Sequence, residues 1–307
     1  MKRILITGAT GLIGQSIVEK CLEQNMQVSF LTTNKSKLKK VDNYKGFYWN
    51  PKQFEIDIEA FKDVEVIINL AGSAITKRWT SSYKNNILNS RVESVNLLFS
   101  TIKKEKIPIQ HFISASAIGY YPDSWTNYYT EDFDSKDDSF LINVIKEWET
   151  AADQMASLNI PVSKIRIGMV LSDHGGALPK IVKAIKYGLG APFGSGEQWQ
   201  SWIHIKDLTQ LFIFVLENQL GGIYNAVAPN PVSNRDFTKT IARFLKRPLF
   251  LPNIPKVLMK IVLGEMHEIL YESQRVSSKK IEDLGFQFKY YQITQAIEDL
   301  LIKKPLQ

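Results

Sequence analysis

The chain has a single cysteine, Cys21, in its 307 residues. No disulfide can form within it, so a reducing, cytoplasmic setting is expected, with Cys21 as a small core residue. Histidine is nearly as rare, with four. Nowhere do histidines, the cysteine and the acids fall at metal-ligand spacing, so no metal is expected. No apolar run has the length that crosses a bilayer, and no membrane partner is expected. The first residues enter a strand directly, without a signal-peptide pattern. Internal repeats and low-complexity linkers are absent. Arginine is scarce beside lysine, which makes Arg78, Arg91, Arg166 and Arg275 conspicuous. The lysines are scattered or in short groups such as Lys37-Leu38-Lys39-Lys40. A formal charge of +7 favours anionic ligands. No recognised nucleic-acid motif accompanies it, so nucleic acid is not an expected partner.

What the chain does carry begins at its third residue. An apolar run, Ile4-Leu5-Ile6, ends in Gly8-Ala9-Thr10-Gly11-Leu12-Ile13-Gly14, and a helix-compatible segment follows to Leu22. A buried strand that turns through glycines into a helix N-terminus makes a pyrophosphate site. Gly8 allows the tight turn, Gly11 lets the backbone approach the phosphates, and Gly14 lets helix and strand sit close. The helix dipole and its unpaired N–H groups favour the anion. Gly8, Thr10, Gly11, Leu12, Ile13 and Gly14 are therefore the first cofactor candidates.

Strands are predicted at Arg3–Ile6, Gln27–Thr32, Val64–Leu70, His111–Ser114 and Val162–Ile167. Helices are predicted at Leu12–Leu22, Ser82–Lys104, Phe140–Ser157 and Ala177–Tyr187. Alternating strands rich in Val, Ile and Leu point to a parallel sheet wrapped by helices on both faces. After Gly168 the rhythm changes: a glycine-rich loop, the apolar Trp202–Ile205, a helix at Leu208–Glu217 and a strand at Ile223–Val227. Asn234–Leu245 and Pro255–Ile302 read as mostly helical. The expected architecture is α/β: a Rossmann-type parallel sheet plus a smaller, mostly helical C-terminal domain. Residues 1–167, with 200–228 returning, would bind the nucleotide. Residues 168–199 and 229–307 would form the substrate side, with a cleft between.

The exit of the second strand decides which dinucleotide fits. An acid about 20 residues past the glycines selects NAD. Here the chain reads Thr32-Thr33-Asn34-Lys35, without Asp or Glu. Hydroxyls, an amide and Lys35 or Lys37 can hold a 2′-phosphate instead, which favours NADP over NAD. Further along, Asn69-Leu70-Ala71-Gly72 ends a strand, and its small residues let the chain pass close to the cofactor.

Together these residues resemble the extended short-chain dehydrogenase/reductase superfamily. Thr7–Gly14 matches its glycine motif, Asn69–Gly72 its Asn-Ala-Ala-Gly-type segment, and Gln200–Asp207 its Arg-Asp-Phe-Ile-His-Val-x-Asp. Lys77–Thr80, Ser114–Tyr121, Gly194–Trp199, Ser201–His204, Arg247-Pro248, Leu263–Met266 and Gln274–Val276 look like one branch of it. That branch is the epimerase-family proteins with a characteristic C-terminal segment of unknown function. The resemblance covers nearly the whole chain. It implies a Rossmann core, nucleotide binding and NADP, but no particular substrate. The long helices Ser82–Lys104 and Phe140–Ser157 are the usual dimer surface in this superfamily, so the chain is expected to be a monomer or a homodimer. One departure concerns NADP: branch members often carry Thr-Arg-Asn after the second strand, and Thr33 stands in the arginine's place.

The other departure concerns catalysis. The superfamily uses a tyrosine with a lysine four residues on, one helical turn apart. The ammonium lowers the phenol's pKa, and the phenol exchanges a proton with substrate. Aligned on Glu149, those positions fall on Leu141 and Ile145, and the usual pair is missing. Ser114 and Ser116 at a strand exit, and Tyr120 in the loop after it, are the catalytic candidates. Arg166, at the end of its strand, can reach a phosphate. Substrate candidates are Arg78, Tyr121, Gln198, Trp202, His204 and Arg275. Asp207 reads as the N-cap or first-turn acid of the following helix. The expected function is an NADP-dependent oxidoreductase or epimerase-like enzyme. Its substrate would be a small, anionic or nucleotide-linked carbonyl or hydroxyl compound. The alternative, raised by the missing pair, is a sensor that binds NADPH without turnover.

Overall fold

A computed structural model describes residues 2–302. Its main strands are β1 (Arg3–Thr7), β2 (Gln27–Thr32), β3 (Tyr44–Asn50), β4 (Val66–Asn69), β5 (His111–Ala117), β6 (Val162–Ile167) and β7 (Gly222–Ala226). They form one parallel sheet in the order β3-β2-β1-β4-β5-β6-β7, edged by an antiparallel Lys40–Val41. The principal helices are α1 (Leu12–Glu23), α2 (Ser81–Glu105), α3 (Phe140–Asp153), α4 (Leu178–Lys186) and α5 (Ile205–Glu217). The C-terminal part adds α6 (Asn234–Phe244), α7 (Lys256–Leu263) and α8 (Ile293–Leu301).

The sheet runs one way from β1 to β2 and the other way from β4 to β5. Right-handed crossovers therefore put α1 and α2 on opposite faces. With both faces covered, Ile4, Leu5, Ile6, Ile67, Ile68, Phe112 and Ile113 lose all solvent contact. The Rossmann-type sheet with helices on both faces is as the apolar runs implied. On one face α1 lies against α5, pinned by the Thr209 hydroxyl donating to Ser16 Oγ at 2.8 Å. On the other, α2 lies against α3.

Several elements differ from the sequence reading. β3 was not foreseen. It is a partly exposed strand whose Gly46 and Lys45 break the apolar run, and it pairs with β2 from Val28↔Tyr44 to Thr32↔Tyr48. β5 runs three residues further than expected, because Ala115–Ala117 keep pairing with Ile165–Ile167. Pro255–Ile302 is broken into short helices, and Arg275–Val276 is a strand paired with Tyr128–Tyr129.

A second core lies beside the sheet, built from Trp202, Phe237, Ile241, Tyr290, Ile297 and neighbours. The C-terminal segment also enters the first core through Ile281, Phe286 and Phe288. Asp207 fixes that crossing. Its buried carboxylate accepts from the N–H groups of Lys289 at 2.9 Å and Tyr290 at 3.0 Å. It is a first-turn acid of α5, whose N-cap is His204.

The join between β1 and α1 is tight. A Cβ on Gly14 would stand 2.3 Å from Gly8 O and 2.7 Å from Ala9 Cα, both backbone. Gly14→Ala should therefore destabilise the fold by about 1–3 kcal/mol, the range of an overpacked core. A urea melt measures it, and an unchanged midpoint would contradict this packing.

Candidate functional site

The strand order reverses between β1 and β4, and ligands of open α/β sheets bind outside the carboxyl ends at that point. Register puts Thr7, Asn69 and Ser114 in one row there. Thr7 Oγ1 donates to Asn69 Oδ1 at 2.7 Å and accepts from the N–H groups of Leu70 at 3.0 Å and Ala71 at 3.1 Å. One hydroxyl thus spends its whole bonding capacity on holding two strand ends together. Asn69 Nδ2 continues the row to Ser114 Oγ at 3.4 Å.

Gly8 adopts φ +67°, and a Cβ on it would stand 2.7 Å from Leu70 O. Only glycine makes this turn and lets Leu70 pass so close. α1 then starts at Leu12 with Gly11 as N-cap, no side-chain cap and no acid in its first turn. The N–H groups of Leu12, Ile13 and Gly14 stand at its positive end. Beside the turn lies a cavity of about 430 Å³ lined by Gly8, Thr10, Leu31–Thr33 and Ala71–Ser73. That is a usual size for a small-ligand site. Lys37 Nζ reaches Thr10 Oγ1 at 3.3 Å, on the lip of the glycine turn. Lys35 lies instead over the Tyr48 ring at 4.8 Å. Asn34 caps a short turn by accepting from Ser36 N, and Thr32 Oγ1 accepts from Asn34 N.

Other lining residues were missed from sequence: Trp49–Lys52 at the end of β3, and Asn86, Ser90, Glu93 and Ser94 on α2. The spacing of 86, 90 and 93 marks one face of a helix. Read as polar stripe alone, it looks like solvent-facing surface.

Beyond Ser114, the candidates fall into a buried network. Arg166 makes two bonds to Glu149, Nε to Oε1 at 2.8 Å and Nη2 to Oε2 at 2.9 Å. Ser116 donates to the same Oε1 at 2.6 Å. Arg166 Nη1 also donates to Tyr121 OH at 3.1 Å, and Tyr121 donates to Asn225 Oδ1 at 2.7 Å. Arg166 is 2% exposed, and Nε, Nη1 and Nη2 each donate within the protein. The expected phosphate contact gives way to a structural ion pair. Burial, offset in part by Arg166, pushes the Tyr121 phenol up to about 12. Tyr121 is thus a hydrogen-bonded core residue and not a substrate contact. Tyr120 differs. Its ring lies over the Arg166 guanidinium at 3.6 Å, and its hydroxyl accepts from Ser135 N at 3.4 Å. Ser114 donates to Ala115 O at 3.0 Å.

The missing acid/base pair is visible in space. A Cβ on Gly119 would meet Ile145 Cδ1 at 3.2 Å and Leu141 Cβ at 4.0 Å. The two positions expected to hold lysine and tyrosine face the loop before Tyr120 with apolar groups.

The substrate candidates divide. Arg78 is exposed and lies against Gly264, while Trp79 packs with Met266 and Ile269. Lys84 pairs with Glu265. Two distant motifs, 77–80 and 263–266, thus meet at the start of α2. Arg275 is exposed between the rings of Tyr128 at 5.0 Å and Trp199 at 4.8 Å. Gln198 is buried and donates to Phe193 O and Leu270 O, both at 3.1 Å. Trp202 and His204 have no exposed surface. Trp202 donates to Asn230 O at 3.0 Å. His204 Nδ1 accepts from Lys206 N at 3.0 Å, and its ring stacks on Tyr290. Burial holds His204 down at about 4. For both, substrate binding is replaced by a place in the core and at a helix cap.

Residues 4–226 match the NAD dependent epimerase/dehydratase family. The chain belongs to that family. Residues 254–300 match a domain of unknown function, DUF1731. The epimerase family protein SAR0825 of Staphylococcus aureus (strain MRSA252) is 35% identical, covering 99% of this chain and 100% of its own. The crystal structure of human epimerase family protein SDR39U1 (isoform 2), solved with NADPH, is 28% identical with a TM-score of 0.84. It covers 97% of this chain and 99% of the human one. A nucleoside-diphosphate sugar epimerase from Corynebacterium glutamicum is 30% identical with a TM-score of 0.78. The match covers 98% of this chain and 58% of that longer one. With this sheet order and glycine turn, the chain is an epimerase-family extended short-chain dehydrogenase/reductase. Among the described residues, no cluster of His, Cys, Asp and Glu is arranged to hold a metal, and no helix is long and apolar enough to cross a membrane.

One acid went unnoticed in sequence. Glu272 follows Tyr271, and the N–H of Ser273 after it donates to Asp123 Oδ1 at 2.7 Å. Burial, then the charges of Asp123 and Glu268, push its carboxyl from 4.5 up to about 7. The folded state therefore binds this proton more tightly than the unfolded chain, and stability falls as pH rises from 4.5 to 7. Glu272→Gln should raise the melting temperature at pH 8 and leave it nearly unchanged at pH 4.5. Equal shifts at both values, by differential scanning calorimetry, would contradict this environment.

Proposed function

We propose that this protein is an NADP-dependent oxidoreductase or epimerase-like enzyme in which Tyr120 replaces the family's missing phenol. One observation carries the reading. A glycine turn that leads into an uncapped helix start lines, through Gly8 and Thr10, a cavity whose strand exit has no acid, and the Lys37 ammonium stands 3.3 Å from Thr10. Gly8–Gly14 would hold the pyrophosphate. Thr32 and Thr33 would face the adenosine ribose, and Lys37 would supply the positive charge that Thr33 cannot. The NADPH held by the human relative supports the same choice.

Bound NADP(H) supplies hydride exchange at a substrate carbon. The chain must supply the proton. Ser116 and Tyr121 have given theirs to Glu149 and Asn225, and Ser114 to a backbone carbonyl. Tyr120 donates to no protein group among the described residues, and Arg166 below its ring holds it in place. Arg275 is an exposed cation of the substrate side, and Arg78, exposed in the nucleotide unit, lies against Gly264 of that side. They suit a small anionic or nucleotide-linked carbonyl or hydroxyl compound. Residues 1–167 with 200–228 form the nucleotide unit in this reading, and the remainder the substrate unit.

A second reading rests on Leu141 and Ile145. With apolar groups at both expected catalytic positions, the same fold suits a sensor that binds NADPH without turnover. A carbonyl panel followed by loss of reduced-nicotinamide absorbance separates the two. The enzyme reading predicts turnover, and predicts that Tyr120→Phe lowers kcat by roughly 10²–10⁴-fold while NADPH affinity is nearly kept. Full activity in Tyr120→Phe would remove Tyr120 from the chemistry, and no oxidation of NADPH across the panel would favour the sensor.

A further inference from the structure

We infer that α7 is a docking face for an anionic lipid bilayer. The inference does not depend on the cofactor reading. None of the residues of α7 is buried. At about 100° per residue, Met259 and Leu263 share one side of the helix, and both are half-buried. Val257, Leu258, Ile261 and Val262 share the opposite side and are 70%, 51%, 69% and 58% exposed. Phe250, 76% exposed, and Leu251 stand bare on the segment that leads into the helix. Single apolar side chains at a surface are ordinary, but a whole helix face of them marks a place where something binds.

The helix is held at both ends, so this exposure is built into the fold. Before it, Ile254 N donates to Pro192 O at 2.8 Å and Gly194 N to Ile254 O at 2.9 Å. After it, Gly264 turns at φ +62° against Arg78, and Glu265 pairs with Lys84. Charge decides what covers the face. From Lys246 to Gly264 the chain carries Lys246, Arg247, Lys256 and Lys260, all exposed, and neither Asp nor Glu. Lys256 and Lys260 lie one turn apart beside the apolar side of α7. Of the acids that follow, Glu265 already faces Lys84, which leaves Glu268. A second copy docked on the same face would set these cations against themselves, since a two-fold interface meets its own surface. An anionic bilayer attracts each of them, and its acyl boundary takes up the apolar side chains. A helix that lies in the interface needs no spanning run. The lack of a spanning helix among the described residues therefore excludes crossing and leaves docking open.

The test is flotation of the purified protein with vesicles of phosphatidylcholine alone and of phosphatidylcholine mixed with phosphatidylglycerol. The wild type should bind the mixed vesicles at least about tenfold more tightly, because each lysine near an anionic surface contributes several-fold. Lys256→Glu with Lys260→Glu should abolish that preference. Ile261→Ser with Val262→Ser should weaken binding about tenfold or more, since binding scales with the apolar area inserted. Its melting temperature should stay unchanged, because both side chains are exposed. Equal binding of the wild type to the two kinds of vesicle overturns the assignment, and so does unchanged binding of the folded serine variant. A wild type that floats with neither overturns it as well. In that case a dimer seen by sedimentation velocity and lost in the serine variant identifies a second copy as the occupant, and a monomer leaves the face to a protein partner.

Discussion

A single buried hydroxyl, that of Thr7, sets the geometry on which the rest depends. It ties β1 to β4 where the sheet order reverses, accepting two backbone N–H groups and donating to Asn69. The glycine turn begins one residue later, and Leu70 must pass within reach of Gly8 for both strands to end together. The opening lies beside these held ends and is lined there by Gly8, Thr10, Ala71 and Gly72. Gly14 completes the arrangement by bringing α1 against the same turn.

The buried network around Arg166 has a different task. A buried guanidinium is tolerated because Glu149 meets it with both oxygens and the Tyr121 hydroxyl accepts from Nη1, while Ser116 donates to Glu149. Asn225 then links the network to β7, and through Ser277 to the C-terminal segment. This cluster therefore joins α3, β6, β7 and residues that follow position 270. It also positions Tyr120, whose ring rests on the guanidinium. The loss of the tyrosine and lysine from α3 leaves this support intact, since Glu149 sits one turn beyond Ile145 on the same helix.

Much of the fold was legible because its signals are local. Three glycines between an apolar strand and a helix define the turn by themselves, and continuous Val, Ile and Leu runs mark doubly covered strands. β3 was not legible, because Lys45 and Gly46 interrupt a strand that only β2 and its own edge support. The site was legible in part. The glycine turn and the acid-free exit of β2 are read directly from residue types. The fates of Arg166, Ser116 and Tyr121 are set by Glu149 and Asn225, which are distant in sequence. His204 and Trp202 looked functional because they are polar or aromatic within a motif, yet their partners Lys206, Tyr290 and Asn230 make them structural. Glu93 was missed for the opposite reason: a charged residue on a long helix looks solvated, and only the fold places it along the cavity.

The central claim is that the turn at Gly8–Gly14 and the lip formed by Lys37 hold NADP(H). Calorimetric comparison of NADPH with NADH on the purified protein tests it most directly. The account predicts NADPH the tighter by about tenfold or more, the contribution of a 2′-phosphate meeting a lysine in a partly enclosed site. Equal or tighter binding of NADH would contradict the reading of the β2 exit, and failure to bind either would contradict the claim that this turn is a dinucleotide site.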